Sequence, residues 1–163
     1  MLIFSYGSNM CIARLRRRTP SARPICVARL PGHALRFHKR SIDGSGKADA
    51  YVTNDDSDAV WGVVYELTAD EKPDLDKAEG LGSGYDEKWV CVTSAEGSEQ
   101  EVQLYVATAI DASLRPYRWY RRYVVEGALQ HGLPADYVKM IARQPCIADP
   151  DGERAAANSD VAC

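Results

Sequence analysis

Short apolar runs, cut by glycine or by polar turns, fill the first two-thirds of this chain, and a helical period appears only between and after them. Leu2-Ile3-Phe4 predicts a strand over 2–5, and 10–17 follows as a short helix. Between Ile25 and Phe37 two apolar stretches bracket Pro31-Gly32, the pattern of a strand bent by a turn. Asp43-Gly44-Ser45-Gly46 reads as a flexible loop, and Ala50-Tyr51-Val52-Thr53 as a short strand closed by the polar run 54–57. The run 59–67 is apolar on both faces, which predicts a strand at the centre of a sheet. Thr68 and Glu71 then form a capping-box pattern that opens a helix, with Pro73 in its first turn and Gly80 as its C′ residue. Alternating segments at 88–92 and 102–106 flank Ala95-Glu96-Gly97-Ser98, a hairpin signature. A longer helix over 116–130 closes at Gly132, and Pro134 starts a last one running to about Arg143. From Ile147 the residues turn small, polar and charged, so 1–146 reads as one domain and 147–163 as a disordered tail.

Composition narrows the picture. A chain of 163 residues with 45% hydrophobic and 26% charged residues suits one globular domain with a full core. It has no apolar run of membrane-spanning length, and its N-terminus enters a strand with no basic, apolar and cleavage regions before it. The expectation is a cytoplasmic protein with no membrane partner. The five cysteines are widely spaced, odd in number and without a C-x-x-C pair, which reads as isolated structural cysteines, not a disulfide framework or a zinc site. His33, His38 and His131 are scattered too, so no metal and no cofactor is expected.

Charge is uneven: nine Lys and Arg residues precede the first acid, Asp43, yet the whole chain carries a net charge of −3. A second basic cluster, Arg115 to Tyr123, alternates arginine with aromatic residues. Such clusters can bind nucleic acid, but the pattern equally describes a solvated arginine face with aromatics packed behind it. The acidic balance disfavours a polyanion binder, and no nucleic-acid partner is expected.

Two features carry candidate chemistry. Tyr6-Gly7-Ser8-Asn9 sits where the first strand should end and a helix begin, with Ser8 and Asn9 as good N-cap residues. Free backbone N–H groups at such a turn are a natural seat for a carboxylate or an oxyanion, although an ordinary strand–turn–helix junction has the same look. The second feature is Glu79. It stands four residues after Leu75, so the two share a helix face and Glu79 should point inward. Burial and the negative end of the helix dipole would both disfavour its charged form and suit it to proton transfer near neutral pH. A partly exposed glutamate at a helix end would fit as well. There is no G-x-S-x-G elbow and no histidine with an evident partner. An anion seat plus one internal carboxylate suits a substrate that brings its own nucleophile.

The order of motifs along the chain resembles the γ-glutamylcyclotransferase family, in its AIG2-like superfamily. Tyr6-Gly7-Ser8-Asn9-Met10 is similar to its YGSN signature, Cys26-Val27-Ala28-Arg29-Leu30 to its second strand, and Val60-Trp61-Gly62-Val63-Val64-Tyr65 to its core strand. Leu75-Asp76-x-x-Glu79-Gly80 with Tyr85, then Tyr120, Gly127-Ala128, Gly132-Leu133-Pro134 and Tyr137, complete a match over about residues 1–143. The resemblance implies an α+β fold, a small mixed β-barrel flanked by helices, with a γ-glutamyl group held at the barrel mouth. It implies that the substrate's α-amine attacks its own γ-amide carbonyl, giving 5-oxoproline and a free amine or amino acid. It assigns Glu79 as the catalytic residue, and Tyr6, Gly7, Ser8, Asn9, Met10, Tyr85 and Tyr120 to substrate binding, with a homodimer as a further possibility. The segment Lys47-Ala48-Asp49-Ala50-Tyr51 departs from the family pattern, which places Asp49 and Tyr51 on the leaving-group side. The arginines before Tyr120 are candidates to read an acidic leaving group. Other readings of the same residues are a relative specialised for γ-glutamylamines or for a biosynthetic γ-glutamyl intermediate, and a ligand-binding module without turnover.

Overall fold

The computed structural model describes residues 1–159 and Cys163. Seven strands carry the architecture: β1 Leu2–Ser5, β2 Arg23–Pro31, β3 His33–Arg40, β4 Gly46–Val52, β5 Ala59–Glu66, β6 Tyr85–Ser94 and β7 Glu99–Ala107. Five of them close a barrel in the order β1-β5-β2-β6-β7. All its pairings are antiparallel except β1 with β7, so the barrel is mixed. Around it lie helices α1 Ile12–Arg16, α2 Lys72–Glu79, α3 Arg118–Gln130, α4 Ala135–Ala142 and α5 Gly152–Ala157. This is the α+β barrel that the motif order implied.

β5 is central, as its doubly apolar pattern predicts: it pairs with β1 on one side and β2 on the other. Val60, Val63, Val64 and Tyr65 are all buried. Gly62 is glycine for lack of room, since a Cβ there would sit 2.4 Å from the Ser5 carbonyl oxygen. Gly32, at φ +67°, turns the chain out of the barrel. The segment read as one bent strand is therefore two: β2 stays in the barrel, while β3 leaves to pair with β4 in a separate two-stranded sheet. That pairing shifts register between Arg36 and Lys39, a bulge that re-aims the side chains beyond it.

Several expectations are corrected. Thr68 and Glu71 form no capping box: the Glu71 carboxylate accepts from the Ser21 amide and hydroxyl instead, and the chain makes a 3-10 turn over 69–71 before α2 begins. Ser8 and Asn9 do not cap α1. They form a 3-10 turn, Ser8–Met10, and their side chains bond elsewhere. The loop at 43–46 is not loose, because Asp43 accepts from Ser45 and Lys47 and its carbonyl accepts from the Tyr117 hydroxyl.

The tail read as disordered holds α5, N-capped by the Asp151 carboxylate. The Asp149 side chain is fully buried, accepting from Trp119 Nε1 at 2.8 Å and from Arg154 Nε at 2.7 Å. Hydrogen bonds from Arg154 and Trp119 hold that carboxyl well below its ordinary range. Composition hides this anchor because it depends on one aspartate meeting an indole from α3. Residues 160–162 lie outside the described part. The expectation of isolated cysteines also fails for one pair: Cys11 and Cys163 form a disulfide across a separation of 152 residues. Cys26, Cys91 and Cys146 are free thiols. Among the described residues no helix is long and apolar enough to cross a membrane.

Candidate active site

Where β1 runs into the turn at 6–9, a narrow cavity of about 40 Å³ lies between that turn, Ala48, Glu79 and the rings of Tyr6, Tyr85, Tyr105 and Tyr120. A wider depression of about 450 Å³ adjoins it. Ser8, Glu79, Tyr85 and Tyr120 belong to the walls of both.

The turn is positioned from behind. Met10 and Cys11 pack on Gly127 of α3 so closely that a Cβ there would lie 2.5 Å from the Cys11 nitrogen. The turn closes through Met10 N–H to Gly7 C=O and Cys11 N–H to Ser8 C=O, and the N–H groups of Gly7, Ser8 and Asn9 take no part in these bonds. Gly7 serves by being small: its φ is −111°, open to any residue, but a Cβ would stand 3.1 Å from that of Ala48 and 3.3 Å from the Tyr120 hydroxyl.

Glu79 ends α2. Leu75, one turn earlier, is fully buried, and Gly80 in the left-handed region (φ +73°) stops the helix with its N–H on the Asp76 and Lys77 carbonyls. The Glu79 side chain is 17% exposed. Its Oε1 accepts from Asn9 Nδ2 at 2.9 Å and from Arg18 Nη1 at 2.5 Å. Arg18 Nη1 also donates to Asn9 Oδ1 at 3.0 Å, so the three side chains close a triangle that latches α2 to the turn. These are contacts that an ionised carboxylate makes.

The tyrosine walls are held through their hydroxyls. Tyr85 donates to the Ala48 carbonyl at 2.6 Å, the Ala48 N–H donates to Tyr120 at 3.1 Å, and Tyr6 donates to the Tyr105 carbonyl. Burial pushes the Tyr6, Tyr85 and Tyr120 phenols above their ordinary range, so all three remain neutral donors and acceptors.

Cations dominate the wider depression. Arg14, Arg18, Lys39, Arg40, Lys47 and Lys77 line it, against the two acids Asp43 and Glu79. Lys47 binds Asp43 at 2.6 Å. Burial would raise the Asp43 carboxyl, but its bonds from Lys47 and Ser45 outweigh this and hold it at about 2. On Lys47 the balance goes the other way: burial outweighs the bond to Asp43 and lowers its ammonium. Burial also lowers Lys39, while the charges of Glu79 and Asp43 act in the opposite sense.

The cavity thus brings together Tyr6, Gly7, Ser8, Asn9, Glu79, Tyr85 and Tyr120. Met10 is not among its walls. Its side chain is fully buried in the core, and its carbonyl accepts from Tyr65 and His131. Asp49 and Tyr51 do not reach the leaving-group side either: Asp49 is buried on His38 Nε2 at 2.8 Å and the Ala107 N–H, and Tyr51 packs edge-on against His38. The arginines before Tyr120, at 115 and 118, also lie outside both cavities, while Trp119 and Tyr120 do line the wider one. The pattern missed Arg14, Arg18 and Lys39. Their only trace was the surplus of basic residues before Asp43, which converges on this depression. Among the described residues no group of three or more His, Cys, Asp or Glu side chains could hold a metal ion.

Known proteins share this arrangement of sequence and fold. Residues 59–141 match the AIG2-like family. Human γ-glutamylcyclotransferase is 35% identical over 144 residues, covering 83% of this chain and 74% of the human one. The bovine γ-glutamylcyclotransferase is 36% identical over 145 residues, covering 86% and 76%. A solved structure of a γ-glutamyl cyclotransferase superposes with a TM-score of 0.88 at 29% identity over 99% of both chains.

Proposed function

This chain belongs to the AIG2-like γ-glutamylcyclotransferase family, and on that footing we propose that it is a γ-glutamylcyclotransferase whose base is Glu79. The substrate is a small molecule with a γ-glutamyl group. The observation that carries the assignment of the base is the position of Glu79, between the turn at 6–9 and the tyrosine cavity, with Oε1 2.9 Å from Asn9 Nδ2.

Glu79 takes a proton from the substrate's α-ammonium. The freed amine attacks the γ-carbonyl carbon and closes a five-membered ring. As the bond to the departing nitrogen breaks, Glu79 returns the proton to that nitrogen, and the ring nitrogen gives up its second proton, which the released amine takes up as its ammonium, leaving 5-oxoproline and a free amine. No water is consumed. Holding the chain folded so that its ends meet supplies much of the rate, since a well-oriented intramolecular attack is worth roughly 7–11 kcal/mol. The N–H groups of Gly7, Ser8 and Asn9 are suited to the glutamyl α-carboxylate or the developing oxyanion. The rigid ring walls keep water away from the reacting atoms.

The test is release of 5-oxoproline from γ-glutamyl compounds by the wild type and by Glu79→Gln. The expected result is turnover by the first and a folded, inactive second. A fully active Glu79→Gln enzyme refutes the assigned base, and absence of 5-oxoproline from every compound refutes the function.

A further inference from the structure

The wider depression contains a cation that the chemistry above does not use. Lys39 is 8% exposed. Its Nζ rests 4.6 Å over the Tyr85 ring and makes no hydrogen bond or ion pair among the described residues. It reaches this place because Gly84 has no side chain: a Cβ there would stand 2.6 Å from Nζ. Of the other cations in the depression, Arg18 is taken by Glu79, Lys47 by Asp43 and Arg40 by Asp111. Arg14 donates to the Ser8 hydroxyl at 3.2 Å and lies over the Tyr123 ring, and neither it nor Lys77 has a carboxylate partner among the described residues. Three positive charges therefore face the depression without an acid partner among the described residues.

Cations that line a pocket without an acid partner gain most from a ligand that brings the missing charge. Neither Lys39 nor Arg14 lines the narrow cavity, where the glutamyl group is placed. Both line the wider depression, which shares Tyr85 and Tyr120 with that cavity and offers the room for the departing half of the substrate. We propose that this depression is the leaving-group subsite, and that Lys39, with Arg14 beside it, selects leaving amines bearing carboxylates, two carboxylates better than one. The preferred substrates are then γ-glutamyl derivatives of acidic amino acids, or peptides that end in them. γ-Glutamylamines without a carboxylate leave Lys39 unpaired and are poor substrates. This rests on the γ-glutamylcyclotransferase reading and adds to it the class of substrate.

The test compares γ-glutamyl-glutamate, γ-glutamyl-glutamine and γ-glutamyl-ethylamine, which carry two, one and no carboxylates on the departing amine. The first two have nearly the same shape. The wild type should show a stepwise fall in kcat/KM, roughly ten- to a hundredfold per charge, chiefly through KM. Lys39→Met should flatten the series. Gly84→Ala keeps the charge but crowds the ammonium from its place, and should flatten the series in part. A flat series in the wild type, with 5-oxoproline still formed, overturns the subsite and leaves the reaction standing. A loss in Lys39→Met that is equal for all three compounds also overturns it, assigning Lys39 to the glutamyl carboxylate they share. If no compound yields 5-oxoproline, the reaction itself is wrong and the subsite falls with it.

Discussion

The narrow cavity and the depression beside it share four wall residues but are built on opposite plans. Inside, the side chains are already matched, and only the backbone N–H groups of the turn are left for a ligand: the hydroxyls of Tyr6, Tyr85 and Tyr120 are bonded to backbone, and Glu79 is bonded to Asn9 and Arg18. Outside, cations outnumber acids six to two, and three of them lack an acid partner among the described residues. A matched interior holds its shape before a ligand arrives, which is what an intramolecular ring closure requires. An unmatched exterior gains most from a ligand that brings the missing charge. On the proposed reading, chemistry belongs to the narrow cavity and selectivity to the depression, with Ser8, Glu79, Tyr85 and Tyr120 as their common wall.

The largest effect should come from the interior. Glu79→Gln should lower kcat by about 10²- to 10⁴-fold, with an unfolding midpoint close to that of the wild type. A loss confined to KM would place Glu79 in binding alone.

Next comes the wall. Tyr85→Phe removes the donor to the Ala48 carbonyl, which lies at the bulge between β3 and β4. A buried carbonyl without a partner should destabilise the fold by up to about 3 kcal/mol, read by urea unfolding. No change in stability would mean that the wall hydroxyls are not matched as described.

The exterior has its own signature in acid. Asp43 lies at about 2 in the folded protein against an ordinary 3.8. Because the folded value is the lower one, its stabilisation is complete above pH ~4 and is lost as pH falls from ~4 to ~2. The difference amounts to about 2 kcal/mol. Lys47 stays protonated throughout that window, so the burial that lowers it adds no slope there. Asp43→Asn should remove this part of the acid unfolding curve, and an unchanged curve would contradict the tether.

The smallest effect comes from a residue that lines neither region. Arg154→Ala breaks the anchor on Asp149 and should raise amide exchange across α5, with 5-oxoproline release unchanged. A fall in turnover would tie the C-terminal segment to the site.

How far the residues alone announced this molecule depends on the range of each signal. β5, the Gly80 stop and the inward face of Glu79 follow from periods of two to four residues, and all three appear in the fold. The turn at 6–9 could be placed next to Glu79 only through family resemblance, since Asn9 and Glu79 are 70 residues apart. Arg18 meets Glu79 across 61 residues and leaves no local pattern, as one arginine in an arginine run looks like another. The capping box fails for a related reason: Ser21, 50 residues away, offers Glu71 an amide and a hydroxyl and outcompetes the local bond. Lys39 depends on a bulge and on the empty side of Gly84, neither of which has a sequence period.

The central claim is that the substrate attacks itself. Turnover of γ-glutamyl-glutamate in water enriched in ¹⁸O, followed by mass spectrometry of the products, tests it most directly. Ring closure predicts 5-oxoproline with no ¹⁸O, because no water enters the reaction. Glutamate carrying one ¹⁸O, released from the γ-glutamyl half in place of 5-oxoproline, would mean that water is the nucleophile and would contradict the account.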